Sequence, residues 1–340
     1  MDSDYVLLAF TDKEPVRASK RLFKENFIGG KPFFSPELSQ QLIHSSLDSQ
    51  RLTCTGCQSI ISFIAQINCP VDDDNDRAIH VFACVGKSCP DKKWLVTRTV
   101  SPMIESDEQP PPQLKNGNQK EWLSDEDDWD DDPAEDCAHQ PSTLHRSSAD
   151  EIGESISVDV EGVSAFQAFY LIVEEEEYLL ESDRKSSMKG KKVDISELPD
   201  QDIGPVSDAY EKFLIPGTDE VSNKFIKKIS KFPEQVIRYN LDGQPLLNQA
   251  TKVAPADCEV CGSRRRFELQ LTPGLINALS LNQDSKRGDD TVDLDFGTVL
   301  IFTCEKDCGS RTLLIEEAIR LADADDEVLK VKVEELNQVK

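Results

Sequence analysis

The chain has 340 residues, of which 38 are Lys or Arg and 64 are Asp or Glu, for a formal net charge of −26. With 38% hydrophobic and 30% charged residues it can bury a core, but it is too polar to be folded throughout. This charge argues against a general grip on nucleic acid, which needs a positive field, and suits polycationic proteins such as ribosomal proteins or histones. Met1-Asp2-Ser3-Asp4 puts acids where a signal peptide has its positive region, and no window nears 18 uninterrupted apolar residues. A soluble intracellular protein with reduced cysteines is therefore expected, with no membrane contact.

In chain order, the first marked motif is Ile28-Gly29-Gly30-Lys31-Pro32-Phe33-Phe34, a Gly-x-Pro turn followed by apolar residues. Cys54-x2-Cys57 comes next, then an alternating segment, Ser62–Ile67, that predicts a strand. A second predicted strand, Ala78–Ala83, leads into Cys84-x4-Cys89. Residues 101–162 hold 18 acidic and 3 basic residues, with Trp122 and Trp129 set among Asp127, Asp128, Asp130 and Asp131. This stretch cannot build a core and is expected to be disordered, either as a solvated spacer or as a polyanionic lure whose tryptophans cover Arg side chains.

Val163–Val173 predicts another strand, closed by Glu174–Glu177, and residues from Glu181 to Ser207 read as loose chain. From Asp219 to Phe232, Val221, Phe225, Ile226, Ile229 and Phe232 recur at helical spacing opposite Lys224, Lys227, Lys228 and Lys231. Packing of this helix is favoured over a membrane or nucleic-acid role. Leu241-Asp242-Gly243-Gln244-Pro245-Leu246-Leu247 then repeats the earlier turn. Cys258-x2-Cys261, a strand at Arg266–Leu271, a strand at Thr298–Thr303 and Cys304-x3-Cys308 repeat the earlier array. Spaced leucines in Leu314–Leu336 fit an export signal or an ordinary helix or strand.

Eight cysteines thus form two sets of paired pairs: Cys54, Cys57, Cys84 and Cys89, then Cys258, Cys261, Cys304 and Cys308. A two-residue gap lets one turn aim both sulfurs at one ion, and a second turn closes a tetrahedron. Two structural zinc ions are expected, with no position open to water or substrate. Reduced, buried thiols are the bland alternative. Thioredoxin-like redox chemistry is disfavoured because both CxxC pairs follow turn-like sequence. Cys69 is expected as a packed thiol, Cys137 as an exposed and unimportant one, and His80 as a surface or packed residue.

The fold class read from these signals is mainly β with a few helices. Two zinc-clamped β units, related by internal duplication, are expected to pack as one pseudo-symmetric body around a disordered acidic insert. The expected divisions are an N-terminal unit at 1–100, the insert at 101–162, a C-terminal domain at 163–320 and a charged tail at 321–340.

Pro233–Tyr239, the Gly243-Gln244-Pro245 turn, the second cysteine array, Phe267–Pro273 and Leu294-Asp295-Phe296-Gly297-Thr298 together resemble the C-terminal domain of the programmed cell death protein 2 family. Ile28–Phe34 and the first array resemble its N-terminal part. The MYND-type finger of the longer family member is absent, since residues 90–257 contain only Cys137, so the chain resembles the branch that includes a yeast 20S rRNA accumulation protein. Leu247 and Phe296 stand where the family usually has Trp.

The resemblance implies an ATP-independent escort for one basic small-subunit ribosomal protein, the S-five family member (eukaryotic S two), during 40S assembly. A cytoplasmic location is expected, with shuttling through the nucleus left open, and so is a monomer. The alternative is a non-catalytic adaptor with several partners. An enzyme is disfavoured, because no phosphate loop, nucleophile elbow or spaced histidine pair is present.

Overall fold

Short segments rich in β-branched and aromatic residues pair side by side until the ring of strands closes on itself. The computed structural model describes residues 5–17, 22–38, 40–87, 89–102, 156–157, 166–189, 219–281 and 294–323. The strands are β1 (Leu7–Pro15), β2 (Phe27–Ile28), β3 (Phe33–Phe34), β4 (Ser62–Asn68), β5 (Asn75–Ala83) and β6 (Trp94–Pro102), then β7 (Ile156–Ser157), β8 (Phe169–Glu175), β9 (Ile237–Tyr239), β10 (Arg265–Leu271), β11 (Thr298–Cys304) and β12 (Thr312–Leu321). Helices α1 (Gln40–Ser46), α2 (Glu176–Lys189), α3 (Glu220–Ile229) and α4 (Gly274–Leu281) complete the described elements, with a 3-10 turn at Leu22–Lys24.

Ten strands form a closed barrel in the order β1-β8-β2-β4-β5-β6-β12-β11-β10-β9, with β9 returning to β1. Every pairing in the ring is antiparallel. β3 and β7 make a small separate ribbon. Closure leaves the described ring without a terminal strand, which removes the usual template for aggregation there. The order differs from two β units packed against each other. β1 pairs only with β8 and β9, while β8 bridges β1 to β2, so each half's leading strand is built into the other half's side of the ring.

Strand direction alternates along β4-β5-β6-β12-β11-β10, so β4 and β10 start at opposite ends of the barrel. Each of these two strands is preceded by one CxxC pair, so the two cysteine clusters lie at opposite ends.

Side chains alternate between two environments along each strand. Ile79, Val81 and Ala83 of β5 share a cluster with Ile237 of β9 and Leu269 and Leu271 of β10, strands that are not neighbours of β5 in the ring. The Arg77–Glu268 pair joins β5 to β10 directly and places this cluster in the interior. α4 adds Leu275 and Leu279, one turn apart, to the same cluster. The outward residues of the N-terminal strands, including Phe63 and Phe82, are covered by Phe34, Leu38, Ile43 of α1, Leu47 and Leu52. A smaller layer of Phe267, Leu300, Phe302 and Leu321, with Leu247 and Val253, covers the C-terminal strands.

The expected segments at Ser62–Ile67, Ala78–Ala83, Arg266–Leu271 and Thr298–Thr303 lie in β4, β5, β10 and β11. The expected helix is α3, capped by Asp219, whose Oδ1 accepts from Ser222 N at 2.6 Å. Phe225 is buried, as the packing expectation requires.

Two segments differ from their expectation. The strand expected at Val163–Val173 is observed at Phe169–Glu175, and helix α2 follows it where loose chain was expected from Glu181. The Glu176 carboxylate at the start of α2 explains the switch. It receives both Arg238 nitrogens at 3.0 and 2.9 Å and Lys228 Nζ at 3.3 Å, and it sits where the helix dipole favours an acid. Of Leu314–Leu336, the part up to Leu321 is strand β12 and the part beyond Asp323 lies outside the described residues.

Candidate metal centres

Each CxxC pair sits on the same tight turn. Cys54 N donates to Ser59 O at 2.8 Å and Gln58 N to Cys54 O at 2.9 Å; Cys258 N donates to Ser263 O and Gly262 N to Cys258 O, both at 2.8 Å. Both turns need a left-handed residue, filled by Gln58 at φ 60° in the first and by Gly262 at φ 67° in the second. The second pair of each set arrives from the paired strand. Cys84 follows β5, and Cys304 ends β11.

The structure brings all eight expected residues together as two groups of four, with the sulfurs in each group within 4.8 Å of one another. Cys54–Cys89 and Cys258–Cys308 lie 3.6 Å apart, and Cys57–Cys84 and Cys261–Cys304 3.5 Å. A disulfide would be about 2.0 Å. Four sulfurs at ~2.3 Å from a common centre lie about 3.8 Å apart at the edges of a tetrahedron, close to these values. The donor set therefore fits zinc, and each cluster could hold one ion.

Electrostatics make the same point. Burial pushes Cys54 up, but the backbone N–H groups of Cys57, Lys93 and Gly56 outweigh it and leave the thiol at about 6. Ser59 lowers Cys57, and Ser263 brings Cys261 to about 6. Their neighbours Cys84 and Cys308 are pushed up, first by burial and then by the sulfurs beside them. Four thiolates this close repel one another unless a cation neutralises them.

Around the second cluster lies a group of buried charges that composition could not reveal. Arg77 of β5 makes a forked pair with Glu268 of β10, Nη1–Oε1 at 2.5 Å and Nη2–Oε2 at 2.7 Å, across the barrel interior. Its Nε donates to Asp307 Oδ1 at 2.7 Å. Arg98 of β6 donates to Glu316 at 2.7 Å and to Cys308 O at 3.0 Å. Arg265 reaches Glu316 at 3.0 Å and the carbonyls of Ala256 and Asp257 at 2.9 Å, and Cys304 N donates to Glu316 at 3.2 Å. Both cysteine turns of the second cluster are thus tied to the interior, partly by arginines from the N-terminal half. Glu268, although buried, is held below the usual carboxylate range, because Arg77 and Thr303 outweigh the burial.

Cys69 is packed as expected; its sulfur lies 3.0 Å from Arg77 Nη1, and burial pushes it up. His80 is buried, 4.3 Å from the Phe34 ring, with Nε2 3.0 Å from Phe33 O, and burial holds it down at about 4. Phe296 is buried against Trp94 with ring centroids 5.4 Å apart, so it forms no contact surface, and Leu247 packs half-buried in the outer layer. Trp122, Asp127, Asp128, Trp129, Asp130, Asp131 and Cys137 lie outside the described residues. Sequence reasoning missed Arg77, Arg98, Glu268 and Glu316. A charge standing in an apolar alternation, as in Arg77-x-Ile79-x-Val81-x-Ala83, was the only available signal.

A closed antiparallel barrel with a four-cysteine cluster at each end defines a protein with two candidate metal centres. Residues 5–112 match the N-terminal domain of programmed cell death protein 2, and residues 219–323 match its C-terminal domain. The chain belongs to the programmed cell death protein 2 family. It is 28% identical to "Programmed cell death protein 2-like" of Gallus gallus, over 82% of this chain and 86% of the relative. Its identity to the Homo sapiens protein of that name is also 28%, over 82% and 87%. "Probable 20S rRNA accumulation protein 4" of Schizosaccharomyces pombe is 29% identical over 42% of this chain and 38% of its own. No solved structure matches. No described helix is long and apolar enough to cross a membrane.

Proposed function

We propose that this protein is an ATP-independent escort that binds a basic small-subunit ribosomal protein of the S-five family before that protein reaches rRNA. In this reading the two cysteine clusters hold structural zinc ions, the two halves descend from one duplicated unit, and the acidic insert attracts the client. The observation that carries the proposal is the net charge of −26. A newly made ribosomal protein is a polycation, and an acidic escort speeds its capture and screens it from wrong polyanions. It yields when rRNA offers a denser negative surface, without nucleotide hydrolysis. A relative named for 20S rRNA accumulation supports a role in small-subunit maturation. The closed four-sulfur geometry supports a non-enzymatic role, because a filled tetrahedron has no place for substrate. The site of action in this reading is the cytoplasm.

Affinity capture of the full chain with quantitative mass spectrometry tests the proposal. One basic small-subunit ribosomal protein at near-equal stoichiometry is expected. A broad mixture of partners without it would instead establish an adaptor.

A further inference from the structure

The two ends of the barrel are finished differently. After β10 the chain forms α4, whose Leu275 and Leu279 enter the interior cluster at the end near the first cysteine cluster. After β4, at the opposite end, the chain turns through Pro70–Asp74 into β5 without a helix. A cavity of about 250 Å³ opens there, lined by Leu7, Ala9, Ile67, Leu171, Val173 and Tyr239, among others. Its volume falls below the ~300 Å³ where small-molecule pockets begin, and suits a single apolar side chain better than a cofactor. Val173 at its edge keeps 41% of its surface exposed, and neighbouring Ile172 keeps 45%.

The surroundings of this mouth are acidic. Pro70 lines the cavity, and Asp72, Asp73 and Asp74, all exposed, follow it. On the other side, Glu174 and Glu175 follow Val173. Beside them lies a second concavity of about 410 Å³, bounded by Tyr5, Val6, Glu175, Glu176, Glu177, Leu180 and Glu181. Arg238 and Lys228 engage Glu176, so it is not the group that sets the sign of this surface.

We propose that this mouth is a receptor for a basic polypeptide segment, which inserts one apolar side chain between Leu171 and Val173 and lays flanking Lys or Arg residues along Glu175 and Glu177. The proposal rests on the escort reading and names the surface that would carry it. The insert supplies long-range attraction, and the mouth supplies the desolvated contact that fixes register, a division seen where charge sets on-rate and a buried anchor sets residence.

The test uses the full zinc-loaded chain and three labelled twelve-residue peptides, read by fluorescence anisotropy at low ionic strength. One peptide is Lys/Arg-rich with a central Leu, the second has Ser in place of Leu, and the third has Glu in place of every Lys and Arg. The Leu-containing basic peptide is expected to bind at least tenfold more tightly than either control. Val173→Lys should abolish the preference for Leu while melting temperature and zinc content stay unchanged, and Val173→Ser serves if the lysine variant fails to fold. Glu175→Lys with Glu177→Lys should weaken both basic peptides together. Equal binding of the Leu and Ser peptides, equal binding of the acidic peptide, or an undiminished preference in the Val173 variants would overturn the proposal. Ribosomal-protein capture at full stoichiometry by a folded Val173→Lys chain would also overturn it, while leaving the escort standing. Peptide selectivity as expected in a chain that captures no ribosomal protein would instead sink the escort and keep the receptor.

Discussion

The N-terminal and C-terminal halves use the same backbone devices and decorate them oppositely. Phe63 pairs with Phe82 and Phe267 with Phe302, at ring separations of 5.4 and 5.7 Å, and each β4 or β10 register slips directly after that phenylalanine. Gln66 accepts from Phe33 N at 2.9 Å, and Gln270 accepts from Leu246 N at 2.8 Å, each pinning a Gly-x-Pro turn. Yet the residue after the phenylalanine is Ile64 in one half and Glu268 in the other, both fully buried. Opposite the glutamines stand His80 in one half and Leu300 in the other.

The clusters differ in the same way. The first is braced at the surface, by Lys93 Nζ on the carbonyls of Arg51 and Thr53 and Lys92 Nζ on Gly86 O. The second is braced from inside by Arg77, Arg98, Arg265 and Glu316. The turns that aim four sulfurs at one point are common to both halves. The coupling of each cage to the rest of the chain differs: polar bonds from arginines of the N-terminal half reach the second, while the first shares its apolar layer with Leu313 and Ile315 of β12.

The largest effect should come from breaking that coupling at its source. Cys258→Ala is expected to lose one zinc per chain and to unfold the barrel cooperatively. Structural zinc in small domains contributes on the order of 10 kcal/mol of apparent folding energy, comparable with the whole stability of a domain. Cys54→Ala should also lose one zinc but disrupt mainly the outer layer around Ile43, Leu47 and Leu52, leaving a second melting transition at higher temperature. Metal analysis with calorimetry separates the two variants, and identical unfolding by both would erase the asymmetry.

A smaller but more diagnostic loss should follow Glu268→Ile, which gives the second bulge the residue of the first. Removing one partner of a buried pair leaves Arg77 uncompensated on that side, at a cost of roughly 3–5 kcal/mol. Adding Arg77→Met to Glu268→Ile should recover most of that loss, because an apolar pair of similar volume needs no compensation, although Asp307 then loses its 2.7 Å contact. Chemical denaturation of the two singles and the double closes the cycle. A double variant as unstable as the sum of the singles would show that the charges act separately and do not bind the halves as one unit.

Much of the metal geometry was legible in the sequence, because CxxC spacing is a local property and a tight turn converts it directly into two aimed sulfurs. The four strands flanking the clusters were legible for the same reason, through alternation over six or seven residues. The ring was not. β1 and β8 belong to it only through partners far along the chain, and nothing within Leu7–Pro15 states that it will lie beside Ile237–Tyr239. α2 was missed because its sequence from Glu176 to Lys189 is strongly polar, and a tertiary contact to Arg238 fixes its start. The arginine network was invisible as a network: Arg77 and Glu268 are 191 positions apart, and nothing in either stretch names the other as its partner.

The gentlest contrast is the one between His80 and Leu300. His80 is buried against Phe34 and held neutral, with its proton affinity lowered by burial from an ordinary 6.5 to about 4. Between those values the unfolded chain binds a proton that the folded chain refuses, so folding weakens as pH falls through that window and is unaffected by this group above about pH 7. From pH 7 to pH 5 the loss amounts to roughly 2 kcal/mol. His80→Leu copies the other half and should flatten the stability profile by that amount. It gives up the hydrogen bond to Phe33 O, a loss of about 1 kcal/mol that does not depend on pH. Urea unfolding of both proteins at pH 7, 6 and 5 reads the slope and the offset separately. A parallel pair of profiles would mean that His80 takes up its proton without disturbing the layer beneath α1, and would place the acid sensitivity of the N-terminal half elsewhere.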